Sequence, residues 1–170
     1  MRGSKQHWVS DHVLRAAVAL ACWAALPARA HDPAESLCLA HEPVVFACSV
    51  GGKLVSLCRS PALGDALSYR FGRPTAVELR YPQPGQRARP AFSVKTEPLI
   101  GGGVTKVAFQ RGGYTYTVYS RVGRAADGGA PEFEDGVTVE RRGKVLRHLR
   151  CEDGGAGFRE PLGHAATPAK

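Results

Sequence analysis

The sequence predicts an all-β domain, an antiparallel β-sandwich or small β-barrel built from hairpins and stapled by disulfides. Three observations predict it. Apolar and polar residues alternate with period two in one segment after another, with almost no helical periodicity. Glycine-bearing turns punctuate that alternation at Gly51-Gly52, Gly72-Arg73-Pro74, Gly112-Gly113 and Arg142-Gly143. Four cysteines, Cys38, Cys48, Cys58 and Cys151, follow what reads as an export signal, and an even number in an exported chain predicts two disulfides.

Residues 1–30 read as a cleaved signal peptide. Arg2, Lys5 and Arg15 make a basic leader, and Ala16 to Leu26 is an apolar run. Its length suits the h-region of a secretory signal, roughly 7–15 residues. Pro27 ends the run, and Ala28-Arg29-Ala30 supplies an A-x-A cleavage site. A membrane-spanning helix needs about 20 apolar residues, so neither this run nor any later one is expected to span a bilayer. The expected location is periplasmic or secreted. An alternative reads Ala19-Leu20-Ala21-Cys22 as a lipoprotein box, with the protein anchored through Cys22. After cleavage at Ala30, residues 31–42 read as a lead-in loop, 43–151 as the β domain and 152–170 as a flexible tail.

Taken in order, Pro43 to Val50 and Lys53 to Cys58 flank Gly51-Gly52 as a first hairpin. A two-residue loop sets Cys48 opposite Val55 and Cys58 opposite Val45. Ser60-Pro61 can start a short helical turn that ends near Gly64. Leu67 to Phe71 and Val77 to Tyr81 make a second hairpin. With Phe71 opposite Val77, Arg70 is expected to face Glu78 as a cross-strand ion pair. Pro82 to Pro90 reads as a loop, Ala91 to Lys95 as a short strand and Pro98 to Gly103 as a flexible lead into the next hairpin. That hairpin, Val104 to Arg121, is the best-determined local structure. Its Gly112-Gly113 turn sets Arg111 opposite Tyr114 and Phe109 opposite Tyr116. Val107, Phe109, Tyr114, Tyr116 and Val118 then share one face, with Lys106, Gln110, Thr115 and Thr117 on the other. Gly123 to Asp135, rich in Gly, Ala and acid, reads as a mobile excursion. Gly136 to Arg141 and Lys144 to Cys151 make the last hairpin.

The strand faces predict the disulfide pairing. Cys48 and Cys58 point to opposite faces of their hairpin and should not bond each other. Cys58 lies where the lead-in loop enters, within reach of Cys38. Cys48 needs a partner from another strand, and the last strand ends at Cys151. The expected bonds are Cys38–Cys58 and Cys48–Cys151. Zinc is the competing reading, but there is no C-x-x-C pair and the spacing does not match a zinc site.

Composition and motifs narrow the function. Of 23 Lys and Arg and 15 Asp and Glu, four basic and one acidic residue lie in residues 1–30, which leaves a net +5. Basic residues thicken at Arg141, Arg142, Lys144, Arg147, His148 and Arg150. Arginine forks match carboxylate or phosphate, so Arg141, Arg147 and Arg150 are the expected anion-binding residues. Because strand faces alternate, Arg147 and Arg150 cannot both serve one ligand. The expected partner is an anionic envelope component or acidic protein rather than nucleic acid. The other expected contact is an aromatic face around Tyr114 and Tyr119. There is no G-x-S-x-G elbow, no H-E-x-x-H pair, no phosphate loop and no nameable carboxylate pair. No catalytic residue and no cofactor is therefore expected. The alternative is an envelope enzyme or copper protein. After cleavage, His31 would offer its α-amino group and imidazole to copper, with His41, His148 or His164 as a third nitrogen. Lytic polysaccharide monooxygenases carry such an N-terminal histidine, and the resemblance covers only His31 and the signal.

Four fragments carry a further resemblance: VVFACSVGGKLVSLC, YRFGRPTAVELRYP, VAFQRGGYTYTVYS and the late Cys151. From Cys38 to Cys151 the chain resembles a group of small exported proteins of Gram-negative bacteria. That resemblance implies export and a β fold, and implies no activity. In architecture alone the chain also resembles the periplasmic inhibitors of C-type lysozyme, which are small disulfide-bearing β-barrels. The Ser-Gly inhibitory loop of those proteins has no counterpart here.

Overall fold

A computed structural model describes residues 36–86, 91–125, 128–154, 156–162 and 167–168. These belong to one compact unit, Asp32–Lys170. The predicted signal peptide, the lipoprotein box at Cys22, His31 and His164 lie outside the described residues.

Period-two alternation folds into two sheets that face each other, the sandwich rather than the closed barrel. The first sheet holds β1 (Val44–Val50), β2 (Lys53–Ser60), β3 (Ala66–Arg73) and β4 (Ala76–Tyr81), in the order β1-β2-β3-β4. The second holds β5 (Ser93–Leu99), β6 (Gly102–Arg111), β7 (Tyr114–Arg124), β8 (Pro131–Arg141), β9 (Lys144–Arg150) and β10 (Thr167–Pro168), in the order β10-β5-β6-β7-β8-β9. All neighbours are antiparallel except the two-residue β10 beside β5. One 3-10 turn, Pro61–Leu63, ends at Gly64 with φ 64°, and Ser60 makes no side-chain cap to it.

The core forms where the two inner faces meet. Val45, Phe46, Val55, Leu57, Leu67 and Tyr69 from one sheet pack with Val107, Phe109, Val118 and Val137 from the other and with Phe92, which precedes β5. Fully burying each such side chain stabilises the fold by roughly 1.5–3 kcal/mol. At the centre, Phe109 stacks between Tyr81 and Tyr116, with ring centroids 4.5 and 5.0 Å away.

Gly112 and Gly113 have φ of 58° and 78°, which a two-residue hairpin turn of this hand requires. The pairing Arg111 with Tyr114 and Phe109 with Tyr116 follows. The first hairpin also turns at Gly51-Gly52 and sets Cys48 opposite Val55. A bulge between Val44 and Phe46 sets Cys58 opposite Val44 rather than Val45. The bonds are Cys38–Cys58 and Cys48–Cys151, each with Cα atoms 5.5 Å apart. They are the pairs that the strand faces predict.

The second hairpin corrects the expected register. The chain turns at Pro74-Thr75, pairing Arg73 with Ala76, and a bulge between Phe71 and Gly72 adds a second residue of shift, so Phe71 lies opposite Leu79 and Arg70 opposite Arg80. Gly72 permits it: φ is 141°, and a Cβ there would lie 2.7 Å from the Glu78 amide nitrogen. Glu78 therefore pairs with Lys53 at 2.7 Å. Arg70 turns to the outer face and is clasped by buried Glu42, with Nη2 2.9 Å from Oε1. Arg70 also donates to the Leu37 carbonyl at 3.1 Å, and the Leu37 amide donates to Ser56 Oγ at 2.9 Å. The lead-in segment thus covers the outer face of β2 and β3, which are buried on both sides.

Three expected loops are ordered differently. β5 runs on to Leu99, and Ile100-Gly101 turns tightly into β6, so Pro98 to Gly103 is a hairpin rather than a flexible lead. Pro98 is tolerated because, among the described residues, β5 is paired on its far side only at Ser93 and Val94. β7 and β8 continue through most of Gly123 to Asp135, pairing Arg124 with Pro131. Past Cys151, described residues of the expected flexible tail pack instead onto the sandwich. Glu152 N donates to Ser49 O at 2.9 Å and Arg159 N to Val45 O at 2.8 Å. The ring of Phe158 lies 5.4 Å from that of Phe46.

Candidate functional site

The inner face of the six-stranded sheet reads as rows of residues across the strands, set by register alone. At one end lies the row Arg111, Tyr114, Arg141, Lys144, and next to it Phe109, Tyr116, Val139, Arg147. The middle row is apolar: Val94, Val107, Val118, Val137, Leu149. Beyond it comes Thr96, Thr105, Ser120, Asp135, then Pro98, Gly103, Val122, Phe133. One face therefore grades from basic, through apolar, to hydroxyl and acid.

At the basic end the two sheets part and leave an open groove of about 460 Å³. Tyr116, Val137, Val139 and Leu149 form one wall, and Tyr69, Phe71 and Leu79 form the other. Glu78 and Arg147 stand at its lip. Lys53 neutralises Glu78 and lies 5.4 Å over the Phe71 ring. Arg147 has no carboxylate partner among the described residues. Arg141 lies 5.1 Å over the ring of Tyr114, which neighbours Tyr116 at 6.4 Å. A guanidinium over a ring face is held by the ring's quadrupole while its planar N–H fork keeps its donors for an anion.

The three predicted arginines are thus divided. Arg141 and Arg147 belong to the inner face at the groove. Arg150 is on the outer face, 3.3 Å from Glu134 Oε2. Tyr114 and Tyr119 also lie on opposite faces, so the aromatic face expected around the pair does not exist. Burial pushes the Tyr69 phenol well above the usual tyrosine range, so this groove wall stays uncharged.

The outer face carries one cluster that the sequence did not single out. Tyr119 crosses Gly136, where a Cβ would meet its hydroxyl at 2.7 Å. Its phenol donates to Glu134 Oε1 at 2.8 Å and lies 2.7 Å from His148 Nε2. With its single proton given to Glu134, the phenol oxygen accepts from Nε2–H of His148. Burial, then the Glu134 carboxylate, push the Tyr119 phenol well above its ordinary range. The glycine opposite an aromatic was a readable signal, but it needed the β7–β8 register, which the glycine- and acid-rich sequence obscured. His148, a candidate copper ligand, is engaged here, and His41 is exposed in the turn before β1. Among the described residues the one grouping of ligand type is Cys48, Cys151 and Asp153, whose two cysteines form a disulfide.

Fold and site together define a disulfide-stapled β-sandwich with an open apolar groove between its sheets, bordered by basic side chains. No helix among the described residues is long and apolar enough to cross a membrane. Comparison with protein-family models, curated proteins and solved structures returns no match.

Proposed function

We propose that the protein is an exported, non-enzymatic binding or inhibitor module of the bacterial envelope that takes an anionic partner at the basic end of its inner sheet face. The observation that carries this reading is Arg147, held without a carboxylate partner among the described residues at the lip of an apolar groove. A cation beside apolar walls favours a ligand with a carboxylate or phosphate attached to an apolar body. Arg141, stacked on Tyr114, extends the cationic edge in the same row. Export is supported by the signal-like residues 1–30 and by two disulfides, which persist in oxidising compartments.

The test presents the tagged mature protein to envelope extracts at low and high salt, with identification of what is retained. An anionic component is expected at low salt. It should be lost at high salt, since exposed charges are screened beyond about 8 Å at physiological ionic strength. It should also be lost from the Arg141→Ala/Arg147→Ala protein. Retention indifferent to both changes overturns the reading.

A further inference from the structure

We propose that the opposite end of the same sheet face is a saccharide-binding site. A trough of about 550 Å³ runs across β5 to β8 there, within the roughly 300–1,000 Å³ of small-molecule sites. The four-stranded sheet contributes no residue to its lining; the cover is the segment Ala156 to Phe158. The floor is the row Thr96, Thr105, Ser120 and Asp135, exposed at Thr96 and buried at Asp135.

The chemistry of this row suits a polyhydroxyl ligand. Thr96 and Thr105 share a hydroxyl–hydroxyl hydrogen bond of 3.2 Å, and each oxygen keeps further lone-pair capacity. Ser120 adds a third hydroxyl. Asp135, 5 % exposed, is held in place by the Gly157 amide at 2.8 Å. A fixed carboxylate accepts hydrogen bonds from sugar hydroxyls with little ordering cost. At the mouth, Phe133 is 72 % exposed, an unusual placement for a large apolar ring. A pyranose presents C–H groups on one face and hydroxyls at its edge. Phe133 can cover the first while the polar row takes the second.

Charge argues against an anion here. Glu132 and Glu134 join Asp135 around the adjoining hollow, where Arg121 and Arg150 bring the local charge close to balance. A neutral glycan meets no electrostatic penalty in such a place. The inference is independent of the anion-binding reading, because no residue is shared between the two ends.

The experiment follows backbone amide NMR signals of the mature protein during titration with neutral trisaccharides of glucose, galactose, mannose and N-acetylglucosamine. At least one is expected to shift Gly103, Ser120 and Gly157. Phe133→Ala should weaken that binding about tenfold, the range of one aromatic contact, and its exposure keeps the fold intact. Asp135→Asn, which retains an oxygen for the Gly157 amide, should weaken it as well. Arg147→Ala should leave it unchanged. The proposal fails if no trisaccharide moves these signals, if spermidine moves them instead, or if Phe133→Ala binds as tightly as the parent.

Discussion

The strands β2 and β3 differ from β9 in almost every physical respect. β2 and β3 are buried on both faces, one by the opposite sheet and the other by the lead-in segment. β9 is an edge strand exposed along nearly its whole length, with only Leu149 turned partly into the core. Arg70 can stay buried on the outer face, across from Ser56, because Glu42 and the Leu37 carbonyl satisfy the guanidinium. In β9 the charges Lys144, Arg147 and Arg150 face water, where they also discourage edge-to-edge pairing with other chains. The contrast separates two tasks. Stability is concentrated in β1 to β3 and their cover, and that rigid base leaves β8 and β9 free to carry exposed, unsatisfied recognition groups.

The largest effect should come from removing the tie between the two regions. Cys48–Cys151 joins β1 to the end of β9 across a sequence separation of 103, whereas Cys38–Cys58 spans 20. Chain-entropy arguments give about 4.7 kcal/mol for a loop of the first size and about 3 for one near the second. Urea melts should therefore show Cys48→Ala/Cys151→Ala as the more damaged protein. The opposite order would mean that the lead-in cover stabilises more than the link to β9, and that the contrast is steeper than loop size alone predicts.

Next in size is the buried pair beneath that cover. Burial alone would raise the Glu42 carboxyl, but the Arg70 guanidinium and the Leu39 amide outweigh it and hold it below the ordinary carboxylate value of 4.5. A carboxyl depressed in the folded state contributes stability above its unfolded value, and that contribution is lost as pH falls through the folded one. Glu42→Gln leaves Arg70 buried and under-compensated, at a cost of about 3–5 kcal/mol at neutral pH. The variant and the parent should converge in stability as pH falls below 4.5 and through the depressed folded value, where the parent carboxyl also protonates. Curves that run parallel at all pH values would show that the pair's charge contributes nothing.

How far the sequence reveals all this depends on whether local chemistry or distant packing sets each feature. Gly112-Gly113 and Gly51-Gly52 fix their hairpins locally, so the faces, the disulfide pairs and the register can be read from them, except where the bulge between Val44 and Phe46 moves Cys58 by one place. The β3–β4 register cannot, because the turn closes at Pro74-Thr75 rather than at Gly72 and the bulge at Gly72 adds one residue more, which no neighbouring residue announces. Once it shifts, Arg70 loses Glu78 and needs Glu42, 28 positions away. Phe158 is a single ring in a Gly- and Pro-rich stretch, and its packing depends on the space beside Phe46 rather than on any period. The basic end of the candidate site is legible as a charge cluster, though only the β8–β9 register separates Arg147 from Arg150. The hydroxyl trough stays hidden because Phe133 and Asp135 lie in a segment whose composition resembles a loop. Their strand state comes from pairing with Val122 and Ser120.

The smallest effect on stability should come from Arg147→Ala, and it tests the division of tasks most sharply. The guanidinium is exposed, makes no ion pair among the described residues, and belongs to an edge strand. Surface substitutions of this kind stay within about ±0.5 kcal/mol. Leu149→Ala, two positions along the same strand and facing the same way, removes a side chain packed against the core. It should cost roughly 1–2 kcal/mol, below the range for fully buried leucine because Leu149 is only partly covered. Urea melts of the two proteins would measure the difference directly. If Arg147→Ala were as damaging as Leu149→Ala, the arginine would be part of the packing, through its alkyl stem along the groove wall. The lip of the groove would then be built for folding, and the anion-binding reading would lose the residue on which it rests.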